Sequence, residues 1–149
     1  MSKTTCGNVI SDVRRGHYGA WGLYFDSRAG DYRAERNWCY ATDDGGFFKN
    51  QGWDIRVVGN RFEDCTTSQL GEESLYSPDS LLFASNYVTW ASPATCCRGH
   101  ELRPEFCKVF DNYFHDTKES PASEADAVKA GYRPFEVDAG RRDKSCWYE

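Results

Sequence analysis

A chain of 149 residues with 40% hydrophobic and 28% charged residues has the composition of one soluble globular domain with a real core. The formal net charge of -5, with acids and bases interspersed, argues against nucleic acid as a partner, because phosphate binding needs clustered Lys and Arg. No window approaches the roughly 20 apolar residues that cross a bilayer, so no membrane partner is expected. We therefore predict a single domain over residues 1–149.

The chain repeats one short pattern that begins at an asparagine. The segments NVISD, NWCYA, NRFED, NYVTW and NYFHD start at residues 8, 37, 60, 86 and 112, so the asparagines are separated by 29, 23, 26 and 26 residues. Such a quasi-period is typical of the coils of a solenoid. The positions five before, three before and two after each asparagine are almost wholly apolar, as in Ile55, Val57 and Phe62 around Asn60.

These apolar positions predict strands. Positions five and three before the asparagine differ by two, so in an extended strand Ile55 and Val57 point to one side and Arg56 points out. Coils that stack about 4.8 Å apart place like side chains in interior columns. The sequence thus predicts an all-β, right-handed parallel β-helix of about four to five coils. Each asparagine is expected to tolerate left-handed backbone where a strand ends and to pair with the asparagine of the next coil. The alternative is an unrelated all-β sandwich with chance spacing.

A second alignment, with an offset of 24 residues, matches GLYFDSRAG at 22–30 with GFFKNQGWD at 46–54. Alternation places Leu23 with Phe47, and Phe25 with Lys49, on the core face. Lys49 must then be buried, paired or snorkelling. The same alternation turns four other side chains outward: Tyr24, Phe48, Asp26 and Asn50.

This outward set, an acid, an amide and two aromatic rings, lies near RRGHYGAW (14–21) and TDDGG (42–46) and suits a carbohydrate. Sugars stack on flat rings, and their hydrolysis needs two carboxyl groups about 5 to 10 Å apart. We predict Asp26 and Asp44 as the catalytic pair, although a role in shaping turns remains open for both, and Asp43 is interpreted as a turn residue. The residues predicted to hold sugar are His17, Trp21, Tyr24 and Asn50.

Other segments interrupt or end the coils. Residues 66–79 and 91–105 are rich in Ser, Pro, Gly and charge, which predicts surface loops that wall a groove. Residues 121–131, PASEADAVKAG, predict a short surface helix that covers the last coil. The first repeat has only Lys3 and Thr5 where later repeats have core residues, so we expect self-association through an uncapped N-terminal edge.

The cysteines and histidines suggest no metal site. Cys96 and Cys97 lack the spacing of a zinc knuckle, and the three histidines form no cluster, so we expect no metal and no other cofactor. Cys39 and Cys107 fall in the apolar columns and are predicted as core residues rather than nucleophiles. The seven cysteines form no regular framework, which leaves the redox compartment open.

Six segments in chain order resemble the later coils of bacterial right-handed parallel β-helix proteins of the pectate-lyase-like superfamily: GAWGLYFDSRAG, ERNWCYATDDGGFFKNQG, IRVVGNRF, SLLFASNYVTW, KVFDNYFHD and AGRRDKSCWYE. The closest subset is a glycoside hydrolase group that includes α-L-fucosidases and xylanases. The resemblance covers residues 8–148 and implies a secreted or periplasmic, carbohydrate-active protein that corresponds to the later coils of a larger enzyme. The start, MSKTTCGNVISDV, lacks the apolar region of a secretory signal.

Two functions are therefore expected. The first is a glycoside hydrolase that acts on a polysaccharide or oligosaccharide in a groove along the solenoid. The second is a non-catalytic β-helix that binds glycan or a partner, as an adhesin or a phage tailspike does, or a truncated remnant without activity. The family more often has Glu where Ser27 stands and His where Lys49 and Asn50 stand, which favours the second function. The retained Asp26, the DDGG segment and the aromatic residues favour the first.

Overall fold

The computed structural model describes residues 2–27, 29–73, 80–99, 102 and 107–135. These residues form strands joined by short turns, and one short helix near the end of the described chain. In chain order the elements are β1 (Lys3–Cys6), β2 (Val9–Ser11), β3 (Trp21–Phe25), β4 (Gly30–Glu35), β5 (Trp38–Tyr40), β6 (Gly45–Asn50), β7 (Trp53–Val58), β8 (Arg61–Glu63), β9 (Ser68–Glu73), β10 (Leu81–Ala84), β11 (Tyr87–Trp90), β12 (Thr95–Gly99), β13 (Lys108–Phe110), β14 (Tyr113–Asp116) and α1 (Glu124–Lys129).

The strands form three parallel sheets that wind around one core. Sheet A has the order β1-β4-β7-β10-β13, sheet B has the order β2-β5-β8-β11-β14, and sheet C has the order β3-β6-β9-β12. Neighbouring strands in a sheet are always three apart in sequence, so each coil contributes one strand to each sheet. Four complete coils and two strands of a fifth are described. The predicted parallel β-helix is confirmed.

The predicted interior columns are present. Ala34, Val57, Phe83 and Val109 stand opposite one another in the register of sheet A. Val57 is 0% exposed, whereas its neighbour Arg56 is exposed. In sheet B the residues two after each asparagine also align, and the rings of Phe62 and Phe83 stack with centroids 6.0 Å apart across the interior. Like residues recur at like phase because the coils stack in register.

The asparagines form a hydrogen-bonded ladder along one corner of the solenoid. The Oδ1 atom of each accepts hydrogen bonds from the backbone N–H and the Nδ2 of the preceding one, as in Asn60 to Asn86 at 2.9 and 3.1 Å. The predicted pairing is thus present, but the asparagine is not the residue with left-handed backbone. The residue before it has a positive φ in every coil: Gly7 (66°), Arg36 (51°), Gly59 (66°), Ser85 (55°) and Asp111 (56°). The asparagine amide stabilises that turn by bonding the backbone of neighbouring coils.

Lys49 lies in the interior, as its register requires. It pairs with Phe25 on one side and with Glu72 on the other, and its side chain is 0% exposed. Burial lowers the pKa of Lys49, and the carboxylate of Glu72 and the thiol of Cys107 oppose this shift. The carboxylate of Glu72, in the next coil, thus provides an attractive charge near the buried ammonium group of Lys49.

Both predicted loops contain strands, which is a correction. Residues 68–73 form β9 and residues 95–99 form β12, so each continues sheet C instead of lying over it. The polar residues of these segments favour a loop in the sequence. They are equally compatible with a strand, because the outward positions of a strand can be polar. Residues 74–79, 100, 101 and 103–106 of those stretches lie outside the described residues.

The predicted helix is present as α1, with Ser123 as its N-cap. It packs beside the outer face of sheet B, where Ala127 and Tyr132 form a small apolar cluster with Tyr87, and Tyr113 adjoins it. Within the described chain no helix is long and apolar enough to span a membrane.

The described cysteines are mostly interior. Cys39 and Cys107 are buried reduced thiols in the core, as predicted, and Cys65 is also buried. Burial is the main cause that raises the pKa of Cys39. Cys6 is disulfide-bonded. Self-association through the N-terminal edge, formed by β1 and its neighbours, stays a prediction.

Candidate functional site

The outer face of sheet C carries a group of four aromatic side chains, here called the aromatic platform: Tyr18, Trp21, Tyr24 and Phe48. Ring centroids lie 4.5 Å apart for Trp21 and Phe48, 5.3 Å for Tyr24 and Phe48, and 6.5 Å for Tyr18 and Tyr24. The hydroxyl groups of Tyr18 and Tyr24 are 3.1 Å apart. Tyr18 is 74% and Tyr24 is 37% exposed, whereas Phe48 is buried beneath its neighbours.

Two glycines make room for the Trp21 indole. It lies across the faces of Gly45 in β6 and Gly71 in β9, and a Cβ atom added at Gly71 would lie 2.6 Å from its Cη2 atom. A side chain at either glycine would therefore displace the ring. Gly45, the first glycine of the GG pair, thus has a packing role at the platform, in addition to any role in a turn.

Residues 14–20 form a wall beside the platform and are bonded to the start of β6. The backbone N–H of Arg15 donates to Asp43 Oδ2 at 2.7 Å, and Arg14 donates to Asp43 Oδ1 at 3.1 Å. The backbone N–H of Ala20 donates to Asp44 Oδ2 at 2.6 Å. These bonds lower the pKa of Asp43, the bond from the Arg15 backbone first and that from the Arg14 side chain second. The two adjacent carboxylates of TDDGG therefore hold the wall against the solenoid.

Asp44 is the electrostatic centre of the site. It is 2% exposed and forms ion pairs with Arg15, from the wall, and with Arg98 from β12, whose Nη1 atom lies 3.4 Å from Asp44 Oδ1. The Arg15 and Arg98 side chains remain 48% and 57% exposed. Two guanidinium groups share one carboxylate, so the site has an excess of positive charge and free N–H donors that face solvent.

These parts enclose a cleft of about 350 Å³. Its lining combines the wall, the platform and the arginine pair: Arg15, His17, Tyr18, Gly19, Trp21, Asp44, Phe48 and Arg98. Flat apolar rings on one side and fixed polar donors on the other are the arrangement by which concave sites orient small ligands.

Asp26 and Asn50 lie at the other end of the same sheet face. Asn50 Nδ2 donates to Asp26 Oδ1 at 2.9 Å, and the backbone N–H of Ser27 donates to the same oxygen at 2.7 Å. These donors, the Ser27 backbone first, lower the pKa of Asp26, so it is ionised at neutral pH. Beside it, burial and the hydrogen bond with Tyr18 raise the pKa of Tyr24 to about 12.

The structure does not bring Asp26 and Asp44 together. Asp44 directly precedes β6, and Asp26 is bonded to Asn50, which ends β6. Six residues of nearly extended chain therefore separate the two carboxylates, which corresponds to about 15 to 20 Å. That separation is wider than the 5 to 10 Å expected for two carboxyl groups that act on one glycosidic bond.

Among the predicted sugar-binding residues, His17 and Trp21 line the cleft together with Asp44. Tyr24 belongs to the platform through its contact with Phe48, and Asn50 lies with Asp26. The sequence interpretation missed Arg15, Tyr18 and Arg98. Arg15 and Tyr18 belong to the segment RRGHYGAW, which the sequence places near the outward set without assigning either residue a role. Arg98 carries no local signal, because its polar surroundings in residues 91–105 predict a loop and hide the strand β12.

No protein-family model, curated protein or solved structure matches this chain. The contacts in the cleft are therefore the observations that bear on function.

Proposed function

We propose that the cleft on the outer face of sheet C binds a glycan. The observation that carries this proposal is the pairing of the aromatic platform with the guanidinium groups of Arg15 and Arg98 in one concave site. A sugar ring has an apolar face for stacking and a rim of hydroxyl groups for hydrogen bonds, and the cleft offers a partner for each. The resemblance of the coils to pectate-lyase-like glycoside hydrolases supports a sugar as the ligand class.

The roles of the residues follow from their contacts. The exposed rings of Tyr18 and Tyr24, with Trp21 beside them, supply the stacking surface. Arg15, Arg98 and the exposed imidazole of His17 supply donors for sugar oxygens. Asp44 acts through the arginines, because its oxygens already accept bonds from Ala20, Arg15 and Arg98. Its ion pairs fix both guanidinium groups at the rim before a ligand arrives, which lowers the entropy lost on binding.

Binding is a better account of this geometry than hydrolysis. A general acid needs a proton at neutral pH, and the pKa of Asp26 is lowered instead. The second carboxylate, Asp44, is enclosed by two guanidinium groups and is estimated to lie about 15 to 20 Å away. Glycosidic bond cleavage by Asp26 and Asp44 stays a prediction that an activity screen has to decide.

The experiment is a screen of the purified chain against plant and mucin glycans that records binding and the release of reducing ends. For any glycan that binds, Trp21→Ala is expected to weaken the affinity at least about tenfold, which corresponds to about 1.4 kcal/mol. Trp53→Ala is the matched control, because Trp53 is 54% exposed and lies on sheet A, away from the cleft. Each variant is compared with the parent for its unfolding midpoint. Equal affinities for Trp21→Ala and Trp53→Ala, or no binding to any glycan, would exclude the proposal.

A further inference from the structure

Two adjacent cysteines on β12 form a close pair of thiols. The Sγ atoms of Cys96 and Cys97 are 3.7 Å apart, and both side chains are partly exposed. The other reduced thiols among the described residues, those of Cys39, Cys65 and Cys107, are buried. Reagents from solvent would therefore meet the Cys96 and Cys97 thiols first.

Such proximity is unusual for neighbours on a strand, since adjacent side chains normally point to opposite faces. Sheet C departs from this alternation at the same place in each coil. A Cβ atom at Gly46 would lie 2.5 Å from the Phe62 ring in the core, and the next residue, Phe47, also packs against Phe62, with centroids 6.2 Å apart. In the next coil Gln69 and Leu70 are 0% and 1% exposed. Two successive residues thus face inward.

Cys96 and Cys97 occupy these two positions in β12. Cys97 pairs with Leu70, which pairs with Phe47, and Cys96 precedes it as Gln69 precedes Leu70. Both cysteines pack against the core cluster as partly buried residues. The backbone of the solenoid therefore holds the two thiols on the same side of the strand.

We propose that Cys96 and Cys97 are a dithiol site at which a low-molecular-weight disulfide forms a bond between the two neighbouring sulfur atoms. The Cys97 thiolate attacks one sulfur of the reagent, which releases one thiolate and leaves a mixed disulfide on Cys97. The Cys96 thiolate then attacks the Cys97 sulfur and releases the second thiolate. The two cysteine protons end on the two released thiols, the protein pair is oxidised by two electrons, and the reagent is reduced by two.

The order of attack follows from the pair itself. The two sulfur atoms are hydrogen-bonded, and the bond in which Cys96 keeps its proton beside the Cys97 sulfur, followed by burial, raises the pKa of Cys96. Cys96 is thus a poor first nucleophile, and its attack on the mixed disulfide is intramolecular, which offsets its low thiolate fraction.

Formation of the disulfide acts on the cleft because the next residue is Arg98. The sulfur atoms must approach from 3.7 Å to about 2.05 Å, and the ring they close contains the peptide bond between the two cysteines. That peptide must rotate, and its rotation shifts the backbone of Cys97 and with it the backbone N atom of Arg98. The 3.4 Å contact between Arg98 and Asp44 is already long, so we expect it to be lost in the oxidised protein.

The first test uses the folded chain with the Cys6 disulfide intact and Cys96 and Cys97 as thiols, here called the reduced protein, treated with excess glutathione disulfide at mildly alkaline pH. Remaining thiols are alkylated after denaturation, and peptide 91–98, released by trypsin and chymotrypsin, is weighed. The parent is expected to yield a peptide lacking two hydrogens, without glutathione or alkyl groups. Cys96→Ser is expected to retain glutathione on Cys97, because no second thiol displaces it. Alkylated thiols in the parent, or glutathione retained as in Cys96→Ser, would overturn the proposal.

The second test measures the consequence for Arg98 without any glycan, so it is independent of the proposed function. Arg98→Gln is expected to lower the unfolding midpoint of the reduced protein by about 2 °C and to leave that of the oxidised protein unchanged. Arg56→Gln, at an exposed position of sheet A, is the control in both states. A loss of the same size in the reduced and oxidised proteins would show that the disulfide leaves the Arg98 contact intact.

Discussion

The asparagine ladder predicts a large and position-dependent loss of stability on a single substitution. Asn86 is 0% exposed, and its Oδ1 accepts from Asn60 N at 2.9 Å and from Asn60 Nδ2 at 3.1 Å. Its Nδ2 donates to Val57 O and to Asn112 Oδ1, both at 2.9 Å. Asn86→Ala removes all four bonds and leaves two donors of Asn60 and the carbonyl of Val57 without their partner. At about 1 to 3 kcal/mol for each buried unsatisfied group, partly relieved by relaxation, the expected loss is about 3 to 5 kcal/mol.

Asn8→Ala is the matched control, because Asn8 has the same place in the ladder but is exposed at its edge. Its amide bonds to Asn37 at 2.8 Å, and water can replace that contact, so the loss is expected to stay below about 1 kcal/mol. The assay is equilibrium unfolding in urea, with the slope of each transition compared to establish that both variants unfold the same structure. If Asn86→Ala cost no more than Asn8→Ala, the ladder would not stabilise the solenoid in the way its geometry indicates.

Three further predictions address the core and the carboxylates. Val57→Asp places a charge in an apolar column and is expected to cost several kcal/mol in thermal unfolding, whereas Arg56→Asp on the outer face is expected to cost little; similar losses would contradict the column assignment. The pKa of Lys49 is lowered in the folded state from 10.5, so between the folded value and 10.5 the unfolded chain binds more protons and stability rises with pH. Lys49→Met is expected to lack this rise in urea unfolding measured from about pH 7 to 10, and parallel curves for the two proteins would refute the assignment. If the glycan screen detects cleavage, Asp26→Asn is expected to abolish it, and undiminished release of reducing ends would remove Asp26 from any catalytic role.

The coils were predictable because each coil repeats the same physical constraints. An inward position must be apolar in every coil, so Ile55, Val57 and Phe62 have counterparts at equal distances from each asparagine. Even Lys49, which conflicts with that rule, was placed correctly, because alternation from Phe47 fixes the face of every second residue. The position of the left-handed residue was not predictable from the same pattern, since glycine, the usual signal of positive φ, stands there in only two coils, at Gly7 and Gly59.

The cleft was only partly predictable, because its chemistry depends on side chains that the coil pattern leaves free. Outward positions carry no constraint from the core, so Tyr24 and Phe48 could be assigned to the outer face, but the packing of Phe48 against Trp21 could not. That contact depends on glycines in two other coils. Gly45 and Gly71 look like turn residues in the sequence. The Trp21 indole packs against both of them, and this contact exists only because β3, β6 and β9 lie side by side.

The choice between a catalytic and a structural carboxylate depends on residues far away in sequence. Asp44 was predicted as a catalytic partner because it is an acid near aromatic residues, but its ion-pair partners lie 29 residues before it, at Arg15, and 54 residues after it, at Arg98. A solenoid brings such residues together because coils of 23 to 29 residues return the chain to the same face. A carboxylate with two guanidinium partners has its lone pairs occupied, which suits it to hold a binding site in shape. Arg98 therefore adds a third donor, from a distant coil, to the Arg15 side chain and the Ala20 backbone that already hold Asp44 in place.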